Sequence, residues 1–390
     1  MKKSNNNILK EALGVPEGIL VSAERLYRMC FNRIIKITDP ILKESDEEVY
    51  KFVIKSEFKI SDYTLTKINL MVEFVETDQI DSVELYSMGF GHKSSFNDES
   101  LKLITFIHPN EILVSIKFAI TEDTTISQVI KYCQQSQSIM TSSLAHELKH
   151  AYDHYKKPEQ SLQQTSVYHG LQKTSFGIKP INEFLHYLYF THGVENLVRP
   201  TEFASLMKTH DIDKKVFYDF LTNSKMYTMM RDINNFTYEG LRSDLKNYIP
   251  QIDRILNKVT DKTFDSDEEK IDEILRLVYI NLINNTLDTT KTIMTNDFFE
   301  DIMGFRGKKN VLFKKIIKSV TKFESNIKNF YLYEEKKFKY ISGIMMKKLA
   351  KLYSMAKDEK SSIQNWDLHH KINRTNENIK SESKFKRKLK

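Results

Sequence analysis

Residues 136–155 read Ser136-Gln-Ser-Ile-Met-Thr-Ser-Ser-Leu-Ala-His146-Glu147-Leu-Lys-His150-Ala-Tyr-Asp-His154-Tyr155. On an α-helix, positions i and i+4 share a face one turn apart, so His146 and His150 can direct two imidazoles at one metal ion. Glu147 then stands beside that ion, where a carboxylate can take a proton from a bound water. The rest of the stretch supports a helix. At about 100° per residue, Met140, Leu144, Leu148, Ala151 and Tyr152 fall opposite the histidines, and no Gly or Pro intervenes before Pro158. This pattern predicts an amphipathic helix whose imidazoles face a cleft, with Lys149 projecting to the flank.

The pattern is specific. With 11 His and 52 acidic residues in 390, and every acid counted as Glu, chance supplies about 0.04 matches.

Composition sets the frame. A hydrophobic fraction of 40%, with 24 Phe and 19 Tyr, is ample for a core, while 11 Gly and 7 Pro argue for long helices over a turn-rich β protein. The charge of +7 is concentrated towards the C-terminus. Cys30 and Cys133 lie on apolar helical faces and read as buried thiols rather than a disulfide framework, which fits a reducing compartment. The N-terminus lacks the apolar run of a secretion signal, and no stretch of about 18 apolar residues predicts a membrane span. The expected location is therefore cytoplasmic.

Along the chain, a short helix over 8–20 is expected to break at Gly14-Val-Pro16, followed by a helix over 22–36. The period then changes to two. Ile68, Leu70, Val72 and Phe74 alternate with mostly polar residues, as do Ile112, Val114, Ile116, Phe118 and Ile120. Leu103–Ile107 is a third apolar run, Gly89-Phe-Gly91-His92 reads as a turn or bulge, Pro109-Asn110 as a hairpin turn, and 92–100 as a loop. Thr124 or Thr125 can cap a helix leading into the His-Glu stretch. Residues 156–180 read as irregular, and from about 181 onward the period is helical. Residues 330–357 are Lys-rich and amphipathic, and 358–390 read as a polar, basic, disordered tail.

A catalytic zinc site usually takes three protein ligands and an open position. His154 is excluded, because it lies about 12 Å along the helix axis from His146. A distant acid is needed. Glu195 and Glu202, in Tyr189-Phe-Thr-His192-Gly-Val-Glu195-Asn-Leu-Val-Arg199-Pro-Thr-Glu202, are seven residues apart and share a face, although Pro200 can kink the helix between them. Arg199 is spaced to pair with whichever acid does not bind metal.

His146-Glu147-Leu-Lys-His150 followed by Glu195-Asn-Leu-Val-Arg199 resembles the gluzincin group of zinc metallopeptidases. More narrowly it resembles small intracellular or phage-encoded peptidases, over roughly residues 65–210. The resemblance implies His146, His150 and Glu195 as Zn2+ ligands and Glu147 as the base of peptide hydrolysis. Together with the periodicity, this gives an expected α+β fold: a small antiparallel or mixed sheet packed on a zincin-like active-site helix, followed by a C-terminal half whose spacing reads as largely helical and which the resemblance does not cover. The expected organisation is an N-terminal helical segment (1–60), a catalytic core (61–210), a helical region (211–357) and the tail (358–390).

Further roles follow as expectations. His186, His192, Tyr187 and Tyr189 are candidates to stabilise an oxyanion, and Asp153 to orient His150. The strand around Ile112–Ile120 is the candidate edge for holding an extended substrate. Partners would be a protein or peptide substrate and phage or virion proteins, with no membrane, and nucleic acid through the basic C-terminus. The alternative is a non-enzymatic phage structural or interaction protein that keeps a peptidase-like core.

Overall fold

The computed structural model describes residues 17–37, 49–61, 64–78, 80, 82–91, 111–156, 167, 170, 171, 173–295 and 309–356. The expectations for 8–16, His92, the 92–100 loop, Leu103–Ile107, Pro109-Asn110 and 358–390 lie outside the described residues, as does most of 156–169.

The chain is mixed α and β. Helix α1 (Glu17–Ile34) precedes four strands, β1 (Val49–Ser61), β2 (Thr64–Glu76), β3 (Glu84–Gly91) and β4 (Glu111–Ile120). Their order across the sheet is β1-β2-β4-β3, with β2 and β4 parallel and both outer pairs antiparallel. Alternation explains the sheet's packed face. Ile68, Leu70, Val72 and Phe74 of β2 and Val114, Ile116, Phe118 and Ile120 of β4 are all buried in the main core. Phe74 and Phe118 are register partners and stack at 5.2 Å. On the other face Glu73 pairs with its own register partner, Lys117, at 2.8 Å.

Three expectations need correction here. Residues 49–61 are strand, not part of a helical N-terminal segment. The alternation of Tyr50, Phe52 and Ile54 carries that signal. Gly89 and Gly91 do not make a turn; they are paired in β3 with Ser115 and Leu113. Finally, β4 is internal, flanked by β2 and β3, so its backbone groups are committed to ladders on both sides. Among the described residues, the edge strand beside the His-Glu helix is β3.

Helix α2 (Ile126–Gln135) starts at Thr125, whose side chain and that of Gln128 form a capping box. Its Tyr132 hydroxyl accepts a hydrogen bond from the Leu85 N–H of β3 at 2.8 Å. Helix α3 (Gln137–Lys156) follows at once. α1 packs on α3 and the sheet through Ala23, Leu26, Tyr27, Cys30 and Ile34. Both cysteines are free and buried, and burial pushes the Cys133 thiol up to about 12. The Tyr27 hydroxyl donates to the Cys133 carbonyl at 2.9 Å.

The remainder is helical: α4 (Lys179–Thr191), α5 (Gly193–Thr209), α6 (Phe217–Thr222), α7 (Lys225–Asn235), α8 (Tyr238–Leu245), α9 (Ile249–Val259), α10 (Asp267–Thr295), α11 (Lys309–Val320) and α12 (Ile327–Lys351). Their aromatic centre is Phe184 of α4, within 5.0 Å of Tyr331 and 5.4 Å of Phe236, centroid to centroid. One continuous cluster of buried side chains runs from Ile19 to Ala356, so sheet and helices share a core. Among the described residues, no helix is long and apolar enough to cross a membrane.

Candidate metal centre

The centre lies between α3 and α5, which pack closely along their lengths. α3 buries its apolar side as the spacing predicts, with Met140, Leu144 and Leu148 fully enclosed. Its histidine side is covered too, because α5 lies over it. His146 is 7% exposed and Glu195 0%, whereas Glu147 and His150 are half-buried. The histidines therefore do not face an open cleft floor. They sit at a helix–helix seam at which Glu147, His150, Arg199 and Glu202 are each partly exposed.

Helix α5 begins where α4 ends. His192 occupies its N-cap position without a side-chain capping bond, and the Asn196 side-chain amide donates to the Thr191 carbonyl at 3.0 Å. Glu195 sits in that first turn, where the helix dipole favours an anion. The helix runs through Pro200, so Glu195 and Glu202 keep the common face that a seven-residue separation gives them.

The geometry converges. The Nε2 atoms of His146 and His150 are 2.9 Å apart, with the rings at 78°. Glu195 Oε2 is 3.5 Å from His146 Nε2, and its Oε1 is 3.3 Å from His150 Nε2. One ligand atom from each of these three residues lies within 4.8 Å of the others. Ligand atoms bound tetrahedrally at about 2.0–2.2 Å stand roughly 3.3–3.5 Å apart, so this triangle is close to the size one ion requires. Its shortest edge is hydrogen-bond length, one ring donating to the other. Both Glu195 oxygens and His146 Nδ1 are buried yet receive no well-aligned hydrogen bond.

Glu202 occupies a different position. Its Oε2 is 3.4 Å from the other nitrogen of His146, Nδ1. Arg199 does not choose between the two acids but holds both, with Nη2 2.9 Å from Glu195 Oε2 and Nη1 2.9 Å from Glu202 Oε2. Its guanidinium also lies 5.0 Å from the Phe190 ring centroid.

The charges explain the protonation pattern. Burial disfavours the His146 imidazolium, but the adjacent Glu195 and Glu202 carboxylates outweigh it and push its pKa up to about 9. Burial likewise opposes ionisation of Glu195, yet His146 and His150 hold that carboxyl well below the usual range. Glu202 is also lowered against its burial, by His146 and Arg199. Glu147 moves the other way: burial raises it, and the two histidines only partly offset this. With neutral imidazoles, three carboxylates facing one guanidinium leave two negative charges. A divalent cation balances them, as does protonation of the histidines.

Other candidates separate. His186 is exposed and stacks on Tyr189 at 6.0 Å on the α4 face near Arg199. Tyr187 turns towards Phe236 and Phe338 in the helical core, away from the histidines. His192 is neutral, its pKa lowered by burial and then by Lys337 to about 4. Asp153 does not orient His150; it pairs with Lys149 Nζ, one turn back on α3. Lys149 is itself buried, at 3% exposure, and lies 5.6 Å from the Tyr152 ring. That i, i+4 pair was legible in the sequence, whereas the contact of Glu202 with Nδ1 depends on ring orientation and carries no sequence signal.

No known protein family matches this chain, nor does any curated protein or solved structure.

Proposed function

We propose that this chain is a zinc-dependent metallopeptidase of the gluzincin type, with His146, His150 and Glu195 as the zinc ligands and Glu147 as the general base. The observation that carries this reading is the convergence of two Nε2 atoms and one buried carboxylate within 4.8 Å, with Glu147 adjacent in the same helix. Two imidazoles and a carboxylate are a donor set used by catalytic zinc. Zinc held there supplies acidification of water and polarisation of a peptide carbonyl.

The chain's own groups divide the remaining work. Glu147, its pKa raised by burial, is the group placed to accept a proton and return it to a leaving amine. Arg199 fixes both Glu195 and Glu202, so neither carboxylate swings freely. Among the described residues β3 is the edge strand beside α3, the place where an extended peptide would add to the sheet.

The test is metal analysis of the purified chain together with cleavage of fluorescently labelled casein. The expected result is one zinc per chain, lost in His146→Ala, and a Glu147→Gln variant that keeps zinc but does not cleave. A chain that takes up no zinc would falsify the assignment. Zinc uptake with no cleavage by the wild-type chain would instead favour the non-enzymatic structural or interaction protein.

A further inference from the structure

We propose that the exposed stripe of helix α12 is a binding surface for single-stranded nucleic acid. Residues 309–353 hold twelve lysines against three acids, a surplus larger than the +7 of the whole chain. On α12 the apolar side is already spent: Phe330, Phe338, Met345 and Leu349 are buried in the helical core. The opposite face carries Tyr333, Lys336, Tyr340, Lys347 and Lys351, all exposed. At about 100° per residue these five fall within roughly 60° of one another, and they span about 27 Å of helix.

Neither acid of α12 lies on this face. Glu334 is buried and accepts from Lys337 at 2.8 Å. Glu335 is taken by Lys339 at 2.7 Å and by the Tyr238 N–H at 2.9 Å. Both tyrosines are exposed, Tyr340 at 70% and Tyr333 at 45%. Lys322, from the connection before α12, lies 4.8 Å from the Tyr333 ring centroid. At the far end Tyr353 stacks on Tyr218 at 5.4 Å, with Lys214 5.9 Å from its ring.

Lysines interleaved with outward aromatic rings match a strand with splayed bases, whose phosphates meet ammonium groups and whose bases stack on phenol rings. A duplex hides its base faces. A bilayer requires an apolar helix face to insert, and the one on α12 is occupied by the protein's own core.

The test titrates the full chain with a fluorescein-labelled 20-mer of thymidine, the same length of duplex, and vesicles of anionic phospholipid. The single strand is expected to bind with salt-dependent affinity. Combined Lys336→Glu, Lys347→Glu and Lys351→Glu should weaken it more than about tenfold and lower the log–log salt slope by about two. Tyr333→Ala with Tyr340→Ala should weaken the single strand by about tenfold and leave the duplex unchanged. Circular dichroism and melting temperature should match the wild type in both variants; the glutamine triple replaces the glutamate triple if the latter unfolds. The proposal is overturned if the wild type does not bind, if the lysine variants bind as well as wild type, or if the tyrosine variant keeps full single-strand affinity. Retention by vesicles in preference to the oligonucleotide overturns it as well.

Discussion

Glu202 Oε2 stands 3.4 Å from His146 Nδ1, on the side of the ring away from His150 and Glu195. A carboxylate there fixes the tautomer and direction of an imidazole whose other nitrogen binds metal. Glu202→Gln is therefore expected to leave the fold intact while lowering zinc affinity by about 10–100-fold. Competition against a chromophoric chelator measures this, and unchanged affinity would separate Glu202 from the centre.

Zinc uptake should depend on pH because His146 holds a proton up to about 9 in the metal-free chain. Below that value zinc must displace the proton, so apparent affinity should rise by about tenfold per pH unit between pH 6 and 8. The sign for metal-free stability is the reverse. A raised histidine pKa contributes stability in full below the unfolded value of about 6.5 and loses it as pH climbs through about 9. Chemical denaturation of the chelated protein at pH 6.5 and 9, with His146→Ala as the reference, reads the difference; equal losses in both proteins would contradict it.

The Lys149–Asp153 pair is structural. Removing the carboxylate withdraws a partner from a lysine that is 3% exposed. Asp153→Ala should destabilise the fold by about 1–3 kcal/mol without altering zinc stoichiometry or affinity. A loss of zinc affinity at unchanged stability would restore Asp153 as a positioning group for His150.

Gly170 marks a close approach of two backbones. A Cβ at this position would meet the Thr286 backbone of α10 at 2.9 Å. Nearby, Asn285 Nδ2 donates to Thr174 Oγ1 at 2.9 Å, which ties the 170–174 segment to the same helix. Gly170→Ala is expected to lower stability by about 1–3 kcal/mol, read from the denaturation midpoint at constant slope. Wild-type stability would mean that the segment shifts at no cost.

Local periodicity determined much of this protein. The i, i+4 histidines, the buried stripe of Met140, Leu144 and Leu148, the alternation of β2 and β4, and most helices after residue 181 follow from spacings of a few residues. Helix and strand repeats are set by the backbone itself, so such spacings are readable without coordinates. Tertiary structure decided the rest. Only strand order made β4 internal and β3 the edge, since pairing partners come from distant segments. The packing of α5 on α3 buried His146, brought Glu195 to both Nε2 atoms and gave Glu202 to Nδ1. Those two acids are alike in the sequence; they differ because ring orientation and interhelical distance are properties of the assembled core.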